Sequence, residues 1–364
     1  MKRLHFLCAL WVLVLAVATP AAGADWQWPS RDGREKKSAG TEWSWQRLGF
    51  HSEDVGFFDN REVHSPYQRS QTLFGSRMGA ELSVGSKTSS LNAGYYVIDE
   101  FGRDGLTDHG FTLFFHYQDK DGISGAFGSF PRRLLKRELP SVFVSDSLLY
   151  FTPNLNGALI QYESRNGFVE LYCDWLSRQS LQQREIFEIV SDGETELLRD
   201  HSPHSLKAAY NARLTHFSVR SGHQGDFVYD KLMVNPYLEA TFRWNGLIEA
   251  LRINGGYMLS LNRDRGDNVW KAPMGFLGDA SLDIWRFELR NRLYVGNPLM
   301  SDFETYGRLL HRGDPYYRSG MYDRTDVSFR LLNKQRVQCS ATASFHATEG
   351  VLDYSQLIHC RIVL

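Results

Sequence analysis

The amino-acid sequence predicts a transmembrane antiparallel up-and-down β-barrel of about 16 strands, with 14 as the other count. Three observations carry that expectation. Apolar and polar residues alternate with a period of two over many long stretches, which puts one set on each face of a pleated sheet. Long and short links alternate between those stretches, as in barrels that have tight turns on one rim and loops on the other. After Val17 no apolar run approaches the roughly 20 residues that a spanning helix needs. A mean hydropathy of −0.37 agrees with a wall in which only alternate residues meet lipid.

The N-terminus reads as an export signal. Met1-Lys2-Arg3 is basic, residues 6–17 are apolar and too short to span, and Ala22-Gly23-Ala24 supplies the small-residue cleavage pattern. Residues 1–24 are therefore expected to be a signal peptide and 25–40 a flexible lead, with the barrel occupying 41–364. Cys8 lies inside the apolar run without the small residue that lipidation requires.

The first strand is expected near 42–50, followed by a long link at 51–71. Phe111, Leu113, Phe115 and Tyr117 form an apolar row, and Asp121-Gly122 marks a tight turn before a long link at 130–154. Asn166-Gly167 marks the next turn, and Val169, Leu171, Cys173 and Trp175 the next row. A strand near 185–191 precedes a polar stretch, 192–203, that is long for a tight turn, and a long link follows at 219–232. Val234, Leu238, Ala240, Phe242 and Trp244 lead into the Asn245-Gly246 turn. Leu251, Ile253, Tyr257, Leu259 and Leu261 form the return strand, before a link at 262–270. Trp285-Arg286 marks a turn into Phe287, Leu289, Leu293 and Val295, and the longest link covers 297–323. Asn333-Lys334 marks a turn into Val337, Cys339, Ala341, Ala343 and Phe345. Leu352, Tyr354, Ile358, Cys360, Ile362 and Leu364 end the chain on one face. Trp244, Trp285, Phe287 and Tyr354 fall near strand ends, where amphipathic rings meet headgroups. A secreted β-sandwich would alternate too, but with shorter strands and no such rhythm of links.

Over its whole mature length the chain resembles Gram-negative outer-membrane β-barrels of porin-like build. More narrowly, Phe58-Asp59-Asn60-Arg61-Glu62, Phe127-Gly128-Ser129-Phe130-Pro131-Arg132, Arg184-Glu185-Ile186-Phe187, Gly313-Asp314-Pro315-Tyr316-Tyr317-Arg318 and Leu352-Asp353-Tyr354-Ser355-Gln356 resemble a group of such barrels with no established function. The resemblance implies the architecture, insertion by the barrel-assembly machinery and an outer-membrane location. It carries no catalytic assignment. Such barrels usually end in an aromatic residue, whereas this chain ends in Leu364.

If the last hairpin turns on Glu349-Gly350, Cys339 falls opposite Cys360 at a close, non-hydrogen-bonded pair. An oxidising periplasm then allows a disulfide, and two small apolar residues facing lipid are the equal alternative. Cys173 has no evident partner.

A formal net charge of −1, from 41 basic and 42 acidic residues, gives no reason to expect nucleic acid. The polar parity supplies the lumen-lining candidates Arg213, Glu239, Arg243, Arg252, Glu288 and Arg290. Arg292, Arg330, Arg336, His346, His359 and Arg361 complete the set. In the long links, Arg132, Arg133, His311, Asp314, Tyr316, Tyr317 and Arg318 are candidates for binding or constriction. Packing inward as a plug is favoured over display at the surface.

There is no G-x-S-x-G, H-E-x-x-H, phosphate-binding glycine loop or metal-ligand spacing, so neither enzyme activity, cofactor nor metal is expected. The sequence favours a channel for small hydrophilic solutes. A surface barrel that recognises a glycan, peptide or partner protein is the alternative, and an enzyme acting on lipid or lipopolysaccharide comes third, with His346 and His359 as its test positions.

Overall fold

A computed structural model describes residues 47–198 and 203–364. The signal-peptide and lead expectations lie outside those residues. The first wall strands are β1 (Arg47–Glu62), β2 (Gln71–Gly85), β3 (Ser89–Glu100), β4 (Asp108–Gln118), β5 (Ile123–Pro131) and β6 (Asn154–Ser164). They continue as β7 (Gly167–Ser177), β8 (Ile186–Glu196), β9 (Ser205–Phe217), β10 (Tyr229–Arg243) and β11 (Ile248–Asp264). After the three-residue β12 (Val269–Lys271) come β13 (Met274–Ile284), β14 (Phe287–Gly296), β15 (Met321–Lys334), β16 (Val337–Thr348) and β17 (Val351–Val363).

Each wall strand pairs antiparallel with its neighbours in sequence, and β1 pairs with β17, from Glu53↔Val363 to Glu62↔Tyr354. The sheet therefore closes and leaves no edge. β12 pairs with β11 beyond the wall, while β11 continues onto β13, so the barrel has 16 wall strands. Among the described residues no helix is long and apolar enough to cross a membrane; the strands make the crossing.

Large apolar side chains stand open on the outer surface, among them Phe111, Leu113, Phe127, Ile160 and Leu238. No second sheet covers them, which excludes the sandwich. At the short-turn rim Trp285 and Phe287 cluster with Phe329, and Phe242 stacks on Trp244, forming part of an aromatic belt.

The lumen of a barrel this wide cannot be filled by wall side chains alone. Residues 132–153 and 297–320 fold into it instead. Val142, Phe143, Leu299, Met300, Tyr316 and Tyr317 of these segments pack on Met233, Met258, Leu277, Tyr294 and Tyr322 of the wall. The result is an apolar core inside a polar barrel.

Sequence and structure differ at several strand ends. β1 runs to Glu62, not to residue 50, because Val55 and Phe57 point inward onto the plug, where Phe57 stacks on Tyr150 at 4.8 Å. Their apolar character hides the two-residue alternation. β8 likewise continues through Asp192 to Glu196, its acidic residues facing inward. β15 extends through Asn333 and Lys334, with a bulge between Arg330 and Leu332, so the turn moves to residues 335–336. Arg336 accordingly sits exposed on that turn and does not line the lumen. Arg243 has inward parity but lies exposed at the short-turn rim.

The last hairpin has the register implied by a turn at Glu349-Gly350, with Phe345 opposite Tyr354. Cys339 and Cys360 face each other at a Cα separation of 4.1 Å and are joined as a disulfide on the outer side of the wall.

Candidate functional site

The inward-facing candidates form paired charges, not a free cationic ring. Arg252 donates to Asp283 at 2.8 Å and to Ser281 at 3.1 Å, and Arg330 also reaches Asp283, with Glu288 3.8 Å away. Arg290 pairs with Asp279 at 2.7 Å, Arg292 with Asp326, and Arg361 with Glu53 at 2.8 Å. Arg213 is fully buried, donating to the Phe143 carbonyl with Glu188 3.6 Å away. Glu239 is half-buried on the inward parity of β10. Acidic partners thus answer most of the arginines, and the field that would select anions is cancelled locally.

The loop candidates are plug anchors. Tyr316 donates from its hydroxyl to Asp353 at 2.8 Å and stacks on His346 at 4.7 Å. His346 itself is held by the Tyr322 hydroxyl at 2.8 Å. Asp314 accepts from Gln68 at 2.9 Å, and the Tyr317 hydroxyl meets Ser141 at 3.2 Å. Arg318 lies over the Phe303 ring at 4.4 Å. Arg132 donates to the Thr152 carbonyl at 2.7 Å, and Arg133 pairs with Glu81. His311 is buried 2.8 Å from the Lys231 ammonium, and burial followed by that charge pushes its pKa down to about 2.

Two cavities of about 650 Å³ border the plug. One opens among His51, Glu53, Arg77, Glu81, His359 and Arg361, toward the short-turn rim. The other opens among Asp174, Arg184, Arg220, Tyr306, Arg308 and Arg312, toward the long-loop rim. Neither His346 nor His359 reaches the outer surface, since both point into the lumen. Among the described residues no group of three or more His, Cys, Asp and Glu is placed to hold a metal ion.

The outer surface near the long-loop rim carries a different arrangement. Strand register aligns Phe187 on β8, His216 on β9, Asp230 on β10, Arg263 on β11 and Trp270 on β12. All five lie on the outward parity, at the loop ends of their strands. His216 Nδ1 is 3.3 Å from the Asp230 carboxylate, an acceptor that favours the tautomer with its proton on Nδ1. Arg265 donates to the other Asp230 oxygen at 2.7 Å. Phe187 packs on the His216 ring at 4.9 Å and stacks on Trp175 at 5.2 Å, while Arg263 covers Trp270 at 5.2 Å.

A histidine oriented by a carboxylate, flanked by two guanidinium groups and framed by aromatic rings, stands on the outward face of the wall at the long-loop ends of its strands. It can take a proton from water and can also bind anionic groups. None of His216, Asp230, Arg263 and Arg265 is singled out by the sequence analysis. The available signal was parity: ionisable residues on the apolar face of a strand are costly unless they work at an interface.

A family model of lipid A 3′-O-deacylase type matches residues 40–362. The chain belongs to that family. This overturns the expectation that the chain is not an enzyme: that expectation rested on the lack of short local motifs, whereas the family is matched along nearly the whole chain. No curated protein matches the sequence. Among solved structures, Pseudomonas aeruginosa OccK5 (OpdH) aligns with a TM-score of 0.52 at 10% identity, covering 88% of this chain and 98% of that one. Pseudomonas aeruginosa OpdL aligns at 0.50 and 13% identity, covering 87% and 98%. The outer membrane protein OprD from Pseudomonas aeruginosa aligns at 0.50 and 9% identity, covering 87% and 94%. These likenesses concern the fold. The chain is a porin-like barrel of the outer membrane, with its long loops on one rim.

Proposed function

We propose that this barrel is an outer-membrane hydrolase that removes an ester-linked acyl chain from lipid A or a glycolipid like it. The observation that carries the reading is the His216–Asp230 contact on the outer wall, 3.3 Å long and facing the leaflet that holds such a substrate. His216 Nε2 takes a proton from water as the water oxygen attacks the ester carbonyl. The negative charge developing on the carbonyl oxygen is met by free N–H groups of Arg265. As the carbon–oxygen bond breaks, His216 returns the proton to the departing sugar oxygen. The products are a fatty acid and a sugar hydroxyl. Asp230 holds the imidazole tautomer and stabilises the imidazolium that forms transiently.

Arg263 and Arg265 suit the phosphates of a lipid A-type headgroup, and Trp175, Phe187 and Trp270 suit the boundary between sugar and acyl chains. The filled lumen supports this reading over a channel for small solutes, because the plug core stands where such solutes would pass. Mass spectrometry of lipid A from cells that express the chain tests the proposal. The expected result is a species lighter by one acyl chain, absent when His216→Gln is expressed at equal level. Unchanged lipid A in both strains would contradict it.

A further inference from the structure

The outer face of the wall is not uniformly apolar. On β14 and β15, Asn291, Asp323 and Thr325 share the outward parity of Leu289 and Val327. Asn291 Nδ2 donates to the two Asp323 carboxylate oxygens at 2.9 and 3.1 Å and to the Thr325 hydroxyl at 2.9 Å. This polar group stands inside the apolar band. Val295 and Met321 are exposed on its long-loop side, Leu289 and Val327 on its short-turn side. The partners of Asp323 among the described residues are Asn291 and Thr325, so its charge meets no cation.

Two strands further round, a second polar group spans β17, β1 and β2. Register places Gln356 opposite Asn60, and Asn60 opposite Thr72. Asn60 Nδ2 donates to Gln356 Oε1 at 2.8 Å, and the Thr72 hydroxyl donates to Asn60 Oδ1 at 2.7 Å. Gln356 is exposed on the same face as Tyr354 and Ile358, which flank it along β17. Among the described residues its Nε2 has no acceptor. Between the two groups, β16 turns Ala341, Ala343 and Ala347 outward around Phe345, which pairs with Tyr354. A shallow floor thus lies beside two raised rings.

Hydrocarbon offers neither a donor to a carboxylate nor an acceptor to an amide, so both groups are costly against lipid alone. We infer that the outward face of β14 to β17, β1 and β2 is the interface with a second copy of this chain. A two-fold axis along the membrane normal, between β16 and β17, turns this face onto itself. Strands equally far from the axis on opposite sides then meet, so β15 faces β1 of the other copy and β16 faces its β17. The Asp323 carboxylate of each copy comes against the Asn60–Gln356 group of the other, where an amide donor is free. Tyr354 of each copy comes over the alanine floor of the other. One operation therefore answers both unmet groups and does so twice. The outer-wall site on β8 to β12 lies outside this face and stays open to lipid, so the inference does not rest on the hydrolase reading.

The test is cross-linking in isolated outer membranes from cells that express the full chain with Cys173→Ser, which removes the free thiol. Leu352→Cys, on the proposed face, is treated with a short bis-maleimide, and Phe111→Cys, on the outward face of β4, is the control. Labelling with a single-headed maleimide verifies that both thiols are reachable, and heat-modifiable gel mobility verifies folding. The expected result is a band of twice the chain mass in Leu352→Cys, joining two identical chains by mass spectrometry, and none in Phe111→Cys. Adding Ala343→Trp, which fills the floor from the outer side, should lower the band about tenfold. A monomer alone in reachable Leu352→Cys would overturn the inference. Equal bands at both positions, a band unchanged by Ala343→Trp, or a band joining this chain to a different protein would overturn it too.

Discussion

Arg324 on β15 points into the lumen and donates to Asp146, at the start of the plug helix Asp146–Phe151, at 2.7 Å. The same guanidinium donates to Asp326 at 2.8 Å, so one buried arginine ties wall to plug. Asp146→Ala removes the plug end of this link and leaves a buried donor unmet, at a cost of about 1–3 kcal/mol. The wild type should show no stable conductance steps in planar bilayers, whereas Asp146→Ala should show intermittent ones. Large, steady steps in the wild type would mean that the plug does not block the lumen.

The plug should also respond to acid through His311. Its folded pKa lies near 2, against 6.5 when unfolded, so the unfolded chain binds a proton that the folded chain refuses. This group's contribution is therefore fully present above pH 6.5 and is lost progressively as pH falls from about 6.5 toward 2. Thermal midpoints measured over that window should fall less steeply in His311→Asn than in the wild type. Parallel curves would place His311 in contact with water.

Cys339 and Cys360 are bonded, and Cys173 is the free cysteine among the described residues. Alkylation of the denatured protein without reductant should modify Cys173 and leave Cys339 and Cys360 unmodified, and after reduction should modify all three. Cys339→Ser should lower stability by up to about 3 kcal/mol if the bond acts by restricting the unfolded chain. Adducts at Cys339 before reduction would show that the two thiols are separate in the cell envelope.

Asp230 orients His216, and its loss should be felt in turnover. Asp230→Asn can accept a hydrogen bond yet stabilises the imidazolium poorly, so kcat should fall about 10²–10⁴-fold with little change in KM. Arg263→Gln, by contrast, should raise KM for phosphorylated substrate more than it lowers kcat. Reversal of that pattern would exchange their roles.

The wall was legible because its chemistry repeats. Phe111, Leu113, Phe115 and Tyr117 declare an outer face within a few residues, and the pairing of Cys339 with Cys360 follows from one turn. The start of the barrel was obscured because Val55 and Phe57 are buried on the inward face, where Phe57 stacks on Tyr150 of the plug helix, so apolar side chains occur on both faces of β1. The outer-wall site was harder still. His216 and Asp230 are 14 residues apart in sequence and meet only through the β9–β10 ladder, while Arg263 and Trp270 join them from two further strands. No local motif records a row that runs across strands. The charge pairs of the lumen were half visible: parity found Arg252, Arg290 and Arg292, but only register shows that Asp283, Asp279 and Asp326 answer them.

The measurement that bears most directly on the account is the initial rate of fatty-acid release from lipid A by purified, folded barrel, compared among wild type, His216→Gln and His346→Gln. The account predicts measurable turnover in the wild type, a loss of at least about 10²-fold in His216→Gln, and a near-normal rate in His346→Gln, whose ring is buried in the lumen against Tyr316 and Tyr322. Full activity in His216→Gln, or loss confined to His346→Gln, would contradict it and move the chemistry from the outer wall into the lumen.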